Sequence, residues 1–156
     1  MVSREITKRR LDQAELWRWA RPSAVKRGEW LWPSFTPQEM ACQGTQCVLI
    51  DPNFMDRLQS MRTAVAVPLP VTSGYRSPKH NQAVSSTNSL VGPHPDCQAV
   101  DLAVRFTEAY EVIKAAPSYG FIGIGALQHG KPLGRFVHLD CWVGRKNPAF
   151  WTYDAS

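Results

Sequence analysis

Asp101 sits in the middle of an apolar run, Gln98–Val104 (QAVDLAV). The run alternates like a strand, with Ala99, Asp101 and Ala103 on one side and Val100, Leu102 and Val104 on the other. A buried carboxylate needs a cation or several hydrogen-bond donors. This requirement restricts the chain to folds that bring a partner onto that face. His94, in Gly92-Pro93-His94, lies seven positions upstream. A second alternating stretch, Arg135–Trp142 (RFVHLDCW), puts Phe136, His138, Asp140 and Trp142 on one face and Val137, Leu139 and Cys141 on the other. His138 and Asp140 then project the same way, ~7 Å apart at ~3.3 Å per residue. Two imidazoles and a carboxylate, with a corner left for water, are a ligand set for catalytic zinc. An arginine beside Asp101, or backbone donors, would satisfy the carboxylate as well, and spacing alone leaves these readings open.

A chain of 156 residues suits one domain with a sizeable core. The longest apolar runs, such as Ala64–Pro70, are too short to span a bilayer. Basic residues near the N-terminus have no apolar segment behind them, so the expectation is synthesis in the cytoplasm without a signal peptide. Net charge is +5, and residues 1–30 hold eight Lys/Arg against four Asp/Glu. Such a stretch suits an anionic wall or membrane surface, or is simply a solvated basic helix. No nucleic-acid-binding motif accompanies it, and a monomer is expected. Cys42, Cys47, Cys97 and Cys141 form no CxxC pair, which argues against a cysteine-ligated structural zinc. Cys42 and Cys47 could pair only in an oxidising space.

Residues 3–20 read as a helix with a loose stripe of Ile6, Leu11, Leu16 or Trp17, and Ala20, ended by Arg21-Pro22. Residues 21–35 read as a Trp- and Pro-rich arm packed on the domain. In it Trp30 and Trp32 are buried anchors by preference, with sugar or peptide contacts as the alternative. Thr36-Pro37-Gln38-Glu39 and Asp51-Pro52 are helix starts, the second opening a core helix over 52–65. Leu69–Ser73 is a strand candidate, Pro78–Val84 a short helix and 85–95 a loop. Thr107 is expected to cap the next helix. Phe121–Leu127 and Arg135–Trp142 form a hairpin, and the tail, with Phe150, Trp151 and Tyr153, packs back on the domain. His80 and His129 are placed at the surface by default, although His129, in the hairpin loop, is a candidate auxiliary proton donor.

Several motifs run in a fixed order: Ser73-Gly74-Tyr75-Arg76-Ser77-Pro78, then Asn81, Gly92-Pro93-His94 through Ala99-Val100-Asp101, Gly123-Ile124-Gly125, and Phe136-Val137-His138-Leu139-Asp140. Together they resemble the D-Ala-D-Ala carboxypeptidase-like and L-alanyl-D-glutamate endopeptidase zinc peptidases over about residues 36–142. That group includes phage endolysins and is related in fold to the hedgehog signalling domain. The resemblance implies an α+β fold: a small antiparallel sheet with helices on one side and zinc in a cleft on the sheet. It divides the chain into residues 1–35, a basic helix and arm, and 36–156, the peptidase domain.

By the same resemblance His94, Asp101 and His138 are the zinc ligands, and Asp140 is the general base that takes a proton from the attacking water. Arg76 binds substrate and polarises the scissile carbonyl, while Ser73, Tyr75 and Asn81 shape the turn or orient ligands. The implied activity is hydrolysis of an amide bond in the peptidoglycan stem peptide by a phage lysis enzyme that reaches the wall after release. A zinc-containing wall-binding module with weak catalysis is the alternative. One departure stands out: the family carries glycine where this chain has Cys97, which suggests a backbone there with positive φ.

Overall fold

The computed structural model describes residues 5–8 and 15–154. Local signals set the helix starts. Thr36 Oγ1 accepts from Glu39 N at 3.1 Å while Glu39 Oε1 accepts from Thr36 N at 2.9 Å, a capping box that opens α1 (Pro37–Met40). Asp51 accepts from Asn53 N at 2.9 Å and opens α2 (Pro52–Val65), which buries Phe54, Met55, Leu58 and Met61. The expected short helix is α3 (Pro78–Val84). Thr107 lies inside α4 (Phe106–Ala115), whose N-cap is Arg105, so the helix starts two residues earlier than a Thr107 cap would place it.

The helix expected over 3–20 is not what forms. Residues Glu5–Lys8 are strand β1 and Glu15–Trp19 strand β2, while 3–4 and 9–14, including Leu11, lie outside the described residues. β2 is followed by β3 (Val48–Ile50), and the antiparallel order is β1-β2-β3. The segment Glu-Leu-Trp-Arg-Trp favours this outcome because aromatic residues suit a pleated, half-buried surface. Trp19 pairs in register with Val48, and is fully buried in the same core as Trp32, Phe35, Phe54 and Leu58. Indole N–H groups that would otherwise be lost on burial find acceptors: Trp19 donates to Glu29 at 3.0 Å, Trp30 to the Phe35 carbonyl at 2.7 Å and Trp32 to Asp56 at 2.8 Å. Trp30 and Trp32 are therefore anchors, and residues 15–35 help to build the core.

The second sheet carries the site. Its strands are β4 (Val71–Ser73), β5 (Ala99–Leu102), β6 (Gly123–Leu127), β7 (Phe136–Asp140) and β8 (Ala149–Thr152), in the order β4-β5-β7-β6-β8. All neighbours are antiparallel except β6 and β8, so the sheet is mixed rather than purely antiparallel. The tail returns as a strand and not merely as packing. Val100, Leu102, Ile124, Val137 and Leu139 bury one face together with residues of α2 and α4. Asp101, His138 and Asp140 alternate with them and belong to the opposite face. No helix among the described residues is long and apolar enough to cross a membrane.

Candidate metal centre and cleft

Register places the site. Ser73 pairs with Asp101, Asp101 with His138, His138 with Gly125, and Gly125 with Trp151. One row of residues thus crosses all five strands. His94 reaches the row from the turn Gly92–Gln98. Backbone bonds from Asp96 N to Gly92 O (3.1 Å), Cys97 N to His94 O (3.1 Å) and Gln98 N to Pro93 O (2.9 Å) close that turn. Cys97 completes it with φ of +60°, the left-handed region the glycine pattern had suggested.

The tautomers follow from the partners. His94 Nδ1 lies 2.7 Å from the Gly74 carbonyl, which can only accept, so Nδ1 carries the proton and Nε2 presents its lone pair. That Nε2 is 3.4 Å from Asp101 Oδ1. His138 Nε2 lies 2.8 Å from Asp140 Oδ2 and donates to it, which leaves Nδ1 facing Asp101 Oδ1 at 2.9 Å. The ligand atoms of His94, Asp101 and His138 all lie within 4.8 Å of one another. A tetrahedral ion with bonds of ~2.0–2.1 Å needs ligand separations of roughly 3.3 Å, and Asp101 Oδ1 lies 3.4 Å from His94 Nε2 and 2.9 Å from His138 Nδ1. Two imidazoles and a carboxylate, mostly buried and converging, fit zinc in chemistry as well as in spacing.

Charge in the site is balanced by two arginines. Arg76 Nη2 donates to Asp101 Oδ2 at 2.9 Å, its Nε to Ser73 Oγ at 2.8 Å and its Nη1 to Asn81 Oδ1 at 3.3 Å. Ser73 and Asn81 therefore orient the arginine that orients a ligand. Burial would raise the Asp101 pKa, but the two imidazoles beside it hold it well below the usual carboxylate range. Burial keeps His94 neutral by lowering its pKa, against the opposing pull of Asp101. At His138 burial is outweighed by hydrogen bonds to Asp101 and Asp140, and the pKa rises. The position between Asp101 and His138 thus favours positive charge.

Asp140 does not occupy the place expected of a general base. Its side chain is 0% exposed. Arg145 donates to both its oxygens, Nε to Oδ1 at 2.9 Å and Nη2 to Oδ2 at 2.7 Å, and His138 takes the rest of Oδ2. Burial would raise its pKa, yet these bonds bring it down to about 2. A carboxylate so engaged, behind the imidazole, is placed to fix the ring. Small neighbours make room for it: Asp140 pairs with Ala99 and Gly123, and a Cβ on Gly123 would run into the carboxylate.

His129 is not part of the cleft either. Its Nε2 bonds the Tyr153 carbonyl at 2.9 Å from an exposed loop. Tyr75 is half-buried, its hydroxyl pushed up to about 12 by burial, and its N–H donates to the Met40 carbonyl at 3.1 Å. Functional residues that sequence reasoning missed come from the tail. Arg145 lies over the Trp151 ring at 4.9 Å and the Trp142 ring at 5.9 Å, and Trp151 packs on His138 with ring centroids 5.3 Å apart. A Cβ on Gly125 would collide with Trp151, so the glycine permits this contact. Cys42, Cys47, Cys97 and Cys141 are all thiols.

Two outcomes are expected. Arg145→Gln should weaken zinc binding about 10- to 100-fold in a chelator competition, with Arg145→Lys recovering part of the loss; unchanged affinity would separate Arg145 from the centre. Cys97→Val should lower stability to urea by about 2 kcal/mol or more, because a β-branched residue resists positive φ, while Cys97→Gly stays within about 1 kcal/mol of the parent. Equal losses would show that backbone conformation is not the constraint at this position.

Comparison with known proteins bears on the same residues. No curated protein and no solved structure matches the chain. A family model described as Peptidase M15 matches residues 33–140, more than half of the chain, and it contains the three converging ligand residues. The chain therefore belongs to the peptidase M15 family, whose members are zinc-dependent metallopeptidases.

Proposed function

We propose that the protein hydrolyses an amide bond in the stem peptide of peptidoglycan, as a phage lysis enzyme that is made in the cytoplasm and acts on the wall after release. The observation that carries the reading is the His94–Asp101–His138 donor set at the floor of a cleft, in a chain of the M15 family. Stem peptides carry carboxylates, which suits a chain of net charge +5. When bound, zinc would supply Lewis acidity toward the scissile carbonyl and lower the pKa of a water.

The chain's own groups do the rest. His94 offers Nε2 and His138 offers Nδ1, the other nitrogen of each ring being held by the Gly74 carbonyl and by Asp140. Asp101 offers one oxygen inward while Arg76 holds the other. The Arg76 guanidinium borders the cleft, where its charge favours a carbonyl oxygen that becomes negative. Trp142, Trp151 and Tyr153 form an aromatic wall that limits water.

One observation favours the second reading, a wall-binding module with weak catalysis. Asp101 is the single carboxylate among the described residues that line the main cleft, and it is committed as a ligand. Proton transfer would then fall to solvent or to a non-carboxylate group. Digestion of purified peptidoglycan separates the two. With zinc supplied, mass spectrometry should show muropeptides with one amide hydrolysed, abolished by a chelator, restored by zinc and absent with His94→Ala. Tight binding to walls without any cleaved product would favour the binding module.

A further inference from the structure

Resting on the peptidase reading, we propose that the cleft takes an internal stretch of peptide, with residues bound on both sides of the bond to be cut. The protein is then an endopeptidase and not a carboxypeptidase. The first support is shape. The cleft has two lobes. The larger, about 600 Å³, contains His94, Asp101 and His138 and is walled by Trp142, Trp151 and Tyr153. The smaller, about 340 Å³, adjoins it at Arg76 and is lined by Gln43, Thr72, Tyr75 and His80. Both lobes share Arg76, Val84, Asp101 and Phe136, so they meet at the ligand row rather than opening on separate faces. A chain laid over Asp101 has space to continue in either direction.

Charge is the second support. A carboxypeptidase must hold the terminal carboxylate of its substrate next to the scissile bond, and a partly desolvated carboxylate needs a counter-charge. Histidines aside, the cations among the described residues lining the two lobes are Arg76 and Arg145. Neither is free as a counter-charge for a terminal carboxylate: Arg145 is matched, and Arg76 is given to Asp101 and to the scissile carbonyl oxygen. Arg76 is held by Asp101 at 2.9 Å and also by Ser73 and Asn81, and Arg145 by both oxygens of Asp140. Arg145 lies in addition against two indole rings. What the lobes offer instead suits amides and apolar groups. Ser85, Ser86, Thr87 and Ser89 line the larger lobe together with its aromatic residues, and Thr72, Tyr75 and Gln43 line the smaller one. Such walls reward a neutral continuing chain more than a charged end.

Paired substrates test this. Stem-type peptides are prepared with a free C-terminal carboxylate and as the C-terminal amide, and kcat/KM is measured on the zinc-loaded protein with product identification by mass spectrometry. The expected result is cleavage of an internal bond, with amidation changing kcat/KM by less than about threefold. Release of the last residue alone, or a loss of about 100-fold on amidation, overturns the endopeptidase assignment while leaving the peptidase reading intact. If neither peptides nor purified peptidoglycan are cut, the peptidase reading fails and this one with it. Thr72→Trp, which narrows the smaller lobe from outside the ligand set, should lower kcat/KM on the internal bond at least tenfold at unchanged zinc affinity. Unaltered kcat/KM in that variant would overturn the role given to the smaller lobe.

Discussion

The pairing of Asp101 with His138 across β5 and β7 is the contact on which the rest depends. It brings an ionised carboxylate and an imidazole to 2.9 Å on a face that is largely withdrawn from water. Neither group could stay there alone, because desolvation of a single charge costs far more than one hydrogen bond returns. The structure answers with partners on every side. Arg76 comes from the turn after β4, Arg145 from the loop after β7 and His94 from the turn before β5. Strand register does the positioning, since Ser73, Asp101, His138, Gly125 and Trp151 are neighbours in one row. A slip of one residue would turn Asp101 and His138 into the apolar face.

The next row explains how Asp140 can be buried. Ala99 and Gly123 flank it, so the carboxylate and the Arg145 fork occupy space that larger side chains would have filled. The outcome is an ordered relay, with Arg145 fixing Asp140, Asp140 fixing His138, and His138 aiming Nδ1 at Asp101. Outer partners of this kind set both the tautomer and the basicity of a ligand. They also move the tail from the margin to the centre of the design. Arg145 and Trp151 lie beyond residue 140, where the family match ends.

Much of the site was legible because its pattern is local. Alternation in QAVDLAV and RFVHLDCW marked two strands of the site, their polar face and two of the ligand candidates, Asp101 and His138, while His94 came from the Gly92-Pro93-His94 turn. Thr36 and Asp51 marked helix starts through side chains that cap their own backbone. Cys97, at a position where the resembling family carries glycine, has the positive φ that the glycine implies, +60°. Misreadings had physical causes. The stripe Ile6, Leu11, Leu16 fits a helix, but the Trp-rich part pairs with β3 and completes a core that the sequence does not reveal. Asp140 shares a face with His138, yet its role is decided by Arg145, whose arrival depends on a loop path with no periodic signature. The parallel strand β8 escaped notice for a similar reason, since four residues beside Pro148 carry little pattern of their own.

The central claim is that one metal ion is held by His94 Nε2, Asp101 and His138 Nδ1, with His138 Nε2 committed to Asp140. A crystal of the zinc-loaded protein, with anomalous data collected on either side of the zinc edge, tests it directly. The account predicts a single strong peak at ~2.0–2.2 Å from those three atoms, with Asp140 and Arg145 still paired behind the ring. A peak bound through His138 Nε2 or the Asp140 carboxylate, or one centred on other residues, would contradict it.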